Sequence, residues 1–132
     1  IPGVELEHVI GVDSAAERVL IDPTSLGKRV LILDESTMYL PLGVAEVLAE
    51  NGVEVQIVSP HFFVGSDALK TMDLFHIYPR LKQNGVELSS QHFVEKIEGN
   101  DVHLYPLWGG DAIVKSFDNP YHNQYVNLFL LN

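Results

Sequence analysis

Hydrophobic positions along the chain follow two alternating patterns that predict strands and helices in succession. Residues 29–33 form a short β-branched and apolar run, the pattern of a strand buried on both faces. From Pro41 to Asn51 apolar residues recur at helical spacing, and Asn51-Gly52 supplies a C-terminal cap. Residues 53–58 then form a second apolar run. Together these segments predict a right-handed βαβ unit of about 30 residues with parallel strands.

The pattern continues with one more helix and strand and then changes. Residues 66–83 predict a second helix, interrupted or ended near Pro79, and residues 86–88 predict a third parallel strand. The remaining segments predict an antiparallel hairpin (92–97 and 102–108), a further strand (112–114), a loop (118–120) and a strongly apolar final strand (126–131).

These elements predict an α/β fold with three layers, a Rossmann-like parallel sheet and an antiparallel β-meander. Residues 1–27 contain Pro and Gly without a strong period, so they predict a lead-in or linker segment with a short helix over residues 14–20. The domain itself is expected over residues 28–132. Because the sequence starts at Ile1 and stops directly after an apolar strand, we expect a fragment of a larger chain.

Composition narrows the classes of function. A chain of 132 residues with 46% hydrophobic residues predicts one globular domain, and no apolar stretch is long enough to cross a membrane. A net charge of −10 disfavours nucleic acid as a partner. The sequence has no cysteine, which excludes disulfides and iron–sulfur ligands within it and fits a cytoplasmic protein.

A nucleotide site in a βαβ fold lies at the carboxyl end of the first strand, where the helix N-terminus offers unpaired N–H groups. The candidate residues are those of this turn and the end of the second strand: Asp34, Glu35, Ser36, Thr37, Met38 and Ser59. The dinucleotide fingerprint requires glycines in the turn. Here Asp34 stands where the first glycine would be, and Pro41 falls where the last would lie.

Two carboxylates in this turn would repel a pyrophosphate, and Ser59 replaces the acid that holds a ribose hydroxyl. The turn therefore predicts an altered dinucleotide site. From the residues alone a second interpretation stays open, in which the turn is a helix lead-in and Ser36 or Thr37 caps backbone N–H groups.

Several segments resemble the nucleotide-binding-type domain of the trimethylamine dehydrogenase family. Its members include dimethylamine and histamine dehydrogenases, 2,4-dienoyl-CoA reductase and NADH-dependent flavin oxidoreductases. The segments that carry the resemblance are residues 1–3, 27–33 with the long turn after them, 45–49, 58–59, 78–81, 107–109 and the last strand. The resemblance therefore covers most of the chain.

The resemblance implies a parent oxidoreductase with an FMN-bearing barrel, often a 4Fe–4S cluster, and a glutathione-reductase-like pair of domains. This chain would be the smaller domain of that pair, similar to a glutathione-reductase NADPH domain. In the reductases of the family this domain receives NAD(P)H, whereas in the amine dehydrogenases its glycine fingerprint is lost. Asp34 and Pro41 resemble the second group.

The same resemblance implies that the partners are other domains of a homo-oligomeric parent and that the fragment alone is inactive. No catalytic or metal-binding residue is predicted within it. NAD(P)H and ADP are the nucleotides that the site could still take. Two alternatives stay open: a working NADH-binding domain that delivers hydride to a flavin, and a non-catalytic scaffold or docking domain. Met38, Tyr39 and Leu40, an apolar triplet beside two acids, favour docking.

Two unrelated functions fit the pattern less well. A response-regulator receiver would use the acids after Leu33, but Leu88 is followed by Ser89-Ser90 instead of a phosphoacceptor aspartate. A hydrolase or metal enzyme would need a recognisable motif. The six histidines show no paired metal-binding spacing, and the sequence has no G-x-S-x-G.

Overall fold

The structure is a computed structural model that describes residues 1–35, 39–116 and 127–131. The described strands and helices are, in chain order, β1 (Val9–Gly11), α1 (Val12–Ile21), β2 (Arg29–Asp34), α2 (Tyr39–Glu50), β3 (Glu54–Val58), a short 3-10 helix (Ser66–Leu69), α3 (Leu74–Gln83), β4 (Glu87–Ser89), β5 (His92–Glu98), β6 (Asp101–Pro106), β7 (Ile113–Ser116) and β8 (Asn127–Leu131).

Two sheets organise the domain. A parallel sheet has the strand order β1-β8-β2-β3-β4, and an antiparallel sheet has the order β5-β6-β7. In the parallel sheet Val30 pairs with Val55 of β3 and with Asn127 of β8. The predicted parallel sheet and β-meander are therefore confirmed, and the predicted final strand lies inside the parallel sheet, between β1 and β2. The predicted loop at 118–120 lies outside the described residues.

Strand β2 explains how three layers form from one apolar run. Successive side chains of a strand point to opposite faces of its sheet. Val30 and Ile32 are fully buried in the core that the helices cover. Leu31 and Leu33 are buried in a second core, against the β-meander. The parallel sheet is thus covered on one face by helices and on the other by the antiparallel sheet.

Residues 1–27, predicted as a lead-in, contribute to this architecture. Strand β1 pairs with β8 at the edge of the parallel sheet, and the predicted short helix is confirmed as α1. Ala15 and Val19 of α1 are buried in the core that the helices share. The Pro2 carbonyl accepts a hydrogen bond from the Ile97 N–H of the β-meander at 2.9 Å.

The predicted second helix is interrupted, but not where its proline suggested. The break falls between the 3-10 helix and α3, where Met72 has a φ of 65°, a left-handed conformation. Helix α3 passes through Pro79 and ends at Gln83, so the prediction of an interruption near Pro79 is wrong. Burial of Leu74 and Leu81 on either side of Pro79 holds the helix together despite the missing N–H.

Candidate functional site

The carboxyl end of β2 finishes in a buried carboxylate. Asp34, the last residue of the strand, is fully buried. Its Oδ2 accepts a hydrogen bond from the backbone N–H of Gly65 at 3.1 Å. Gly65 belongs to the connection between β3 and α3, so the strand end is tied to the next loop along the sheet. The first predicted site residue therefore supports the backbone of a neighbouring segment.

Any residue other than glycine at position 65 would require a local rearrangement. Its φ of 65° lies in the left-handed region, and a Cβ at this position would lie 2.5 Å from Leu42 Cδ1. Leu42 is buried in the first turn of α2. The absent side chain lets the β3–α3 connection approach α2 closely. The fold thus uses a glycine for close approach after the second strand of the βαβ unit, whereas residues 34–42, from the end of β2 into α2, include no glycine.

Ser59, the other predicted site residue on a strand end, is also fully buried. Its N–H donates to the Ser89 carbonyl at 3.0 Å, and its carbonyl accepts from the His92 N–H at 3.1 Å. Its Oγ accepts from the His61 N–H at 3.3 Å. The N–H, the carbonyl and the hydroxyl of Ser59 are therefore all hydrogen-bonded to neighbouring backbone. Its hydroxyl has no exposed surface that could contact a ribose.

Glu35 is exposed, and its backbone carbonyl contacts His61 Nε2 at 3.1 Å. His61 therefore contacts both Glu35 and Ser59, and it is the residue that brings these two predicted positions together. The sequence offered no signal for this role of His61. The predicted site residues Ser36, Thr37 and Met38 lie outside the described residues.

Tyr78 of α3 completes the buried side of the site. Its hydroxyl donates a hydrogen bond to the Val64 carbonyl at 2.5 Å, directly before Gly65. Burial raises the pKa of the Tyr78 phenol, and the negative charge of Asp34 raises it further. In the sequence Tyr78 contributed only to the family resemblance, because its partner lies 14 residues away in the chain.

A second polar cluster joins the start of α2 to the start of α3. The Asp73 Oδ2 accepts hydrogen bonds from the Tyr39 hydroxyl at 2.6 Å and from Thr71 Oγ1 at 2.7 Å. These bonds lower the pKa of the Asp73 carboxyl, with Tyr39 as the main cause. The bond to Asp73 in turn raises the pKa of Tyr39. The cluster fixes Tyr39, a neighbour of the predicted turn, to the β3–α3 connection.

The opposite edge of the parallel sheet carries an open pocket at the amino ends of β2, β3 and β4. Its lining includes two cations, each beside a carboxylate. Arg29 pairs with Glu54 at 2.9 Å, and Lys115 pairs with Glu87 at 3.5 Å. The pocket's charges are therefore balanced.

Within the described ranges, no three His, Asp or Glu side chains come together in a group that could hold a metal ion. The helices of the described part of the chain are too short or too polar to cross a membrane.

Comparisons with known proteins identify related folds. A family model described as the OYE-like second alpha/beta domain matches residues 14–125. The structure of 6-hydroxypseudooxynicotine amine oxidase from Pseudomonas geniculata N1 has a TM-score of 0.80 and 22% identity over 98% of this chain. Histamine dehydrogenase from Rhizobium sp. 4-9 has a TM-score of 0.72 and 22% identity over 91% of this chain.

A reductase has a similar structure. A complex of 2-naphthoyl-CoA reductase with 2-naphthoyl-CoA has a TM-score of 0.76 and 17% identity over 98% of this chain. The chain spans 18% of the amine oxidase, 17% of the histamine dehydrogenase and 17% of the reductase. At these identities the structures share the fold of this chain, and each is several times longer than it.

Proposed function

The chain belongs to the OYE-like second alpha/beta domain family, and from this premise we propose that it is the dinucleotide-type domain of a larger FMN-dependent oxidoreductase. The family predicted from the resemblance is confirmed, and its structural relatives are flavin oxidoreductases. In this proposal the domain is the smaller member of a glutathione-reductase-like pair, and its own dinucleotide site is degenerate. Its role is that of a scaffold within the parent.

The observation that carries the proposal is the buried Asp34 carboxylate and its bond to Gly65. A working site of this kind presents bare backbone N–H groups at the end of the first strand, where glycines let a pyrophosphate come close. Here a side chain occupies that strand end and is held by the next connection. Ser59 supports the same conclusion, because the residue that would meet a ribose is buried.

Two features of the sequence support a site that does not take NAD(P)H in the usual arrangement: residues 34–42 contain no glycine, and β3 is followed by serine and proline. Flavin and iron–sulfur groups would bind elsewhere in the parent, and a cluster would need cysteine ligands from other domains, since this chain has none. We assign no catalytic step to residues of this chain.

Calorimetric titration of the 132-residue chain with NADH, NADPH and ADP at millimolar concentration tests the degenerate site. We expect no 1:1 binding of any of the three. Binding that weakens when Ser36 or Met38 is replaced by Trp would contradict the proposal and favour a working NADH-binding domain that delivers hydride to a flavin. Binding that is unchanged in both variants would place the nucleotide outside this turn and leave the proposal intact.

The parent is tested separately, by the coding sequence on either side of this segment. We expect an upstream flavin barrel with a cysteine cluster, followed without interruption by this domain. Start and stop codons at the present ends would refute a multidomain parent.

A further inference from the structure

The carboxyl edge of the parallel sheet carries an exposed group of large apolar side chains. This aromatic patch consists of Phe62, Phe63, Leu107 and Trp108. Phe62 is 66% exposed and Trp108 is 71% exposed, and their rings stack with centroids 6.5 Å apart. Two large aromatic rings therefore contact each other while most of their surface faces solvent.

The backbone fixes the position of the aromatic patch. The Gln91 N–H donates to the His61 carbonyl at 3.0 Å, and the Leu107 N–H donates to the Gln91 carbonyl at 2.8 Å. These bonds join the segment after β3, the link between β4 and β5, and the end of β6. The aromatic patch is thus built from segments that are distant in sequence. Hydrogen bonds within this chain hold these segments together without a partner.

The aromatic patch is also free of charged side chains from its own segments. The chain has 18 acidic and 8 basic residues, yet residues 55–66 and 102–110 contain neither kind. Large exposed apolar side chains that contact each other, as Phe62 and Trp108 do, mark interaction sites in soluble proteins. An apolar protein surface fits it, whereas a phosphate or an anionic lipid headgroup would find no lysine or arginine in these two segments.

We propose that the aromatic patch is the surface on which another domain of the parent polypeptide packs through an apolar face. The inference rests on the proposed multidomain parent. The family is that of a second domain. The chain spans 17–18% of the amine oxidase, the histamine dehydrogenase and the 2-naphthoyl-CoA reductase, so a parent of similar length has ample chain for a partner domain. A second copy is a poorer occupant, because it would bring together two domains of net charge −10.

Hydroxyl-radical footprinting read by mass spectrometry tests the aromatic patch in the full-length parent and in the 132-residue chain. We expect oxidation of Phe62 and Trp108 to fall several-fold in the parent. Phe75 on α3 is the matched control, because it is also a phenylalanine and is 63% exposed. Its oxidation should be the same in both proteins.

Three results would overturn the inference. The first is equal oxidation of Phe62 and Trp108 in the two proteins. The second is equal protection of Phe75, which would indicate general shielding. The third is protection that grows with the concentration of the 132-residue chain alone, which would identify a second copy as the occupant. A multidomain parent with an unprotected patch would refute this inference only, whereas the absence of further domains would refute the proposed function.

Paired variants give a second readout. In the full-length parent, the double substitution Phe62→Ser and Trp108→Ser should lower the melting temperature more than Phe75→Ser does. In the 132-residue chain both variants should leave the melting temperature close to that of the unsubstituted protein, since the replaced side chains are exposed there. An equal effect of the patch variant in both proteins would contradict the inference.

Discussion

The Asp34 carboxylate accepts a hydrogen bond from the Gly65 N–H at 3.1 Å, across 31 residues of sequence. Asp34 ends β2, and Gly65 lies in the connection that leads from β3 to α3. Both residues are buried. The bond therefore uses the strand end that would face a dinucleotide to hold the neighbouring connection in place.

The contribution of this bond can be measured with two substitutions of Asp34. Asp34→Ala removes the acceptor and leaves the buried Gly65 N–H unpaired, so we expect the free energy of unfolding to fall by about 1–3 kcal/mol. Asp34→Asn keeps an acceptor oxygen and should cost less. Urea unfolding followed by circular dichroism measures both. Equal losses in the two variants would show that the bond to Gly65 does not matter for stability.

Gly65→Ala tests the close approach between the β3–α3 connection and α2. The new Cβ would meet Leu42 Cδ1 and would force a left-handed φ on alanine, so we expect a loss of about 2–4 kcal/mol in the free energy of unfolding. Gly85→Ala is the control, because Gly85 has a φ of 79° and no atom within 4 Å of the added Cβ. It should lose only about 1–2 kcal/mol. Equal losses of unfolding free energy in Gly65→Ala and Gly85→Ala would show that the contact with Leu42 adds nothing to the cost of the left-handed φ.

The layers of the fold could be predicted from sequence because they depend on local patterns. The run over residues 29–33 has no polar alternation, and the structure shows why: Val30 and Ile32 face the helices, while Leu31 and Leu33 face the β-meander. Strand β1 gave no such pattern, since three residues are too few to establish a period. Its place in the sheet depends on its pairing with β8, more than a hundred residues later.

The candidate site could be predicted only as far as its location. The predicted strand ends indicated Asp34 and Ser59 as site residues. The structure places both at the carboxyl ends of the paired strands β2 and β3. Their burial could not be predicted, because it depends on contacts with Gly65, Ser89 and His92 that have no sequence pattern. The bend at Met72 was missed for a similar reason, since a left-handed methionine has no signature in the sequence.

Tyr39→Phe should alter the dependence of stability on pH. The Tyr39 bond lowers the folded-state pKa of Asp73, so it contributes stability that is lost as the pH falls through that value, below about 4. It raises the folded-state pKa of Tyr39, so the contribution is also lost as the pH rises above about 10. The difference in unfolding free energy between the two proteins should therefore be largest between these limits.

Thr24→Ala provides the matched control for that experiment. Thr24 Oγ1 donates to Asp22 Oδ1 at 2.8 Å, and this bond is the main cause that lowers the pKa of Asp22. No tyrosine takes part, so the difference between this variant and the unsubstituted protein should narrow only on the acid side. Urea unfolding at a series of pH values measures both variants. A Tyr39→Phe difference that does not narrow in alkali would contradict the role of the phenol.

Pro79→Ala should stabilise the domain. Pro79 lies inside α3 and cannot donate to the Phe75 carbonyl, and its side chain is exposed. Alanine restores that bond, so we expect the free energy of unfolding to rise by about 1–3 kcal/mol. Pro41→Ala is the control: Pro41 lies in the first turn of α2, where an N–H has no helical partner, and its side chain is buried. We expect no gain in the free energy of unfolding for Pro41→Ala. A loss of stability in Pro79→Ala would contradict the prediction and show that the proline ring stabilises α3 through packing.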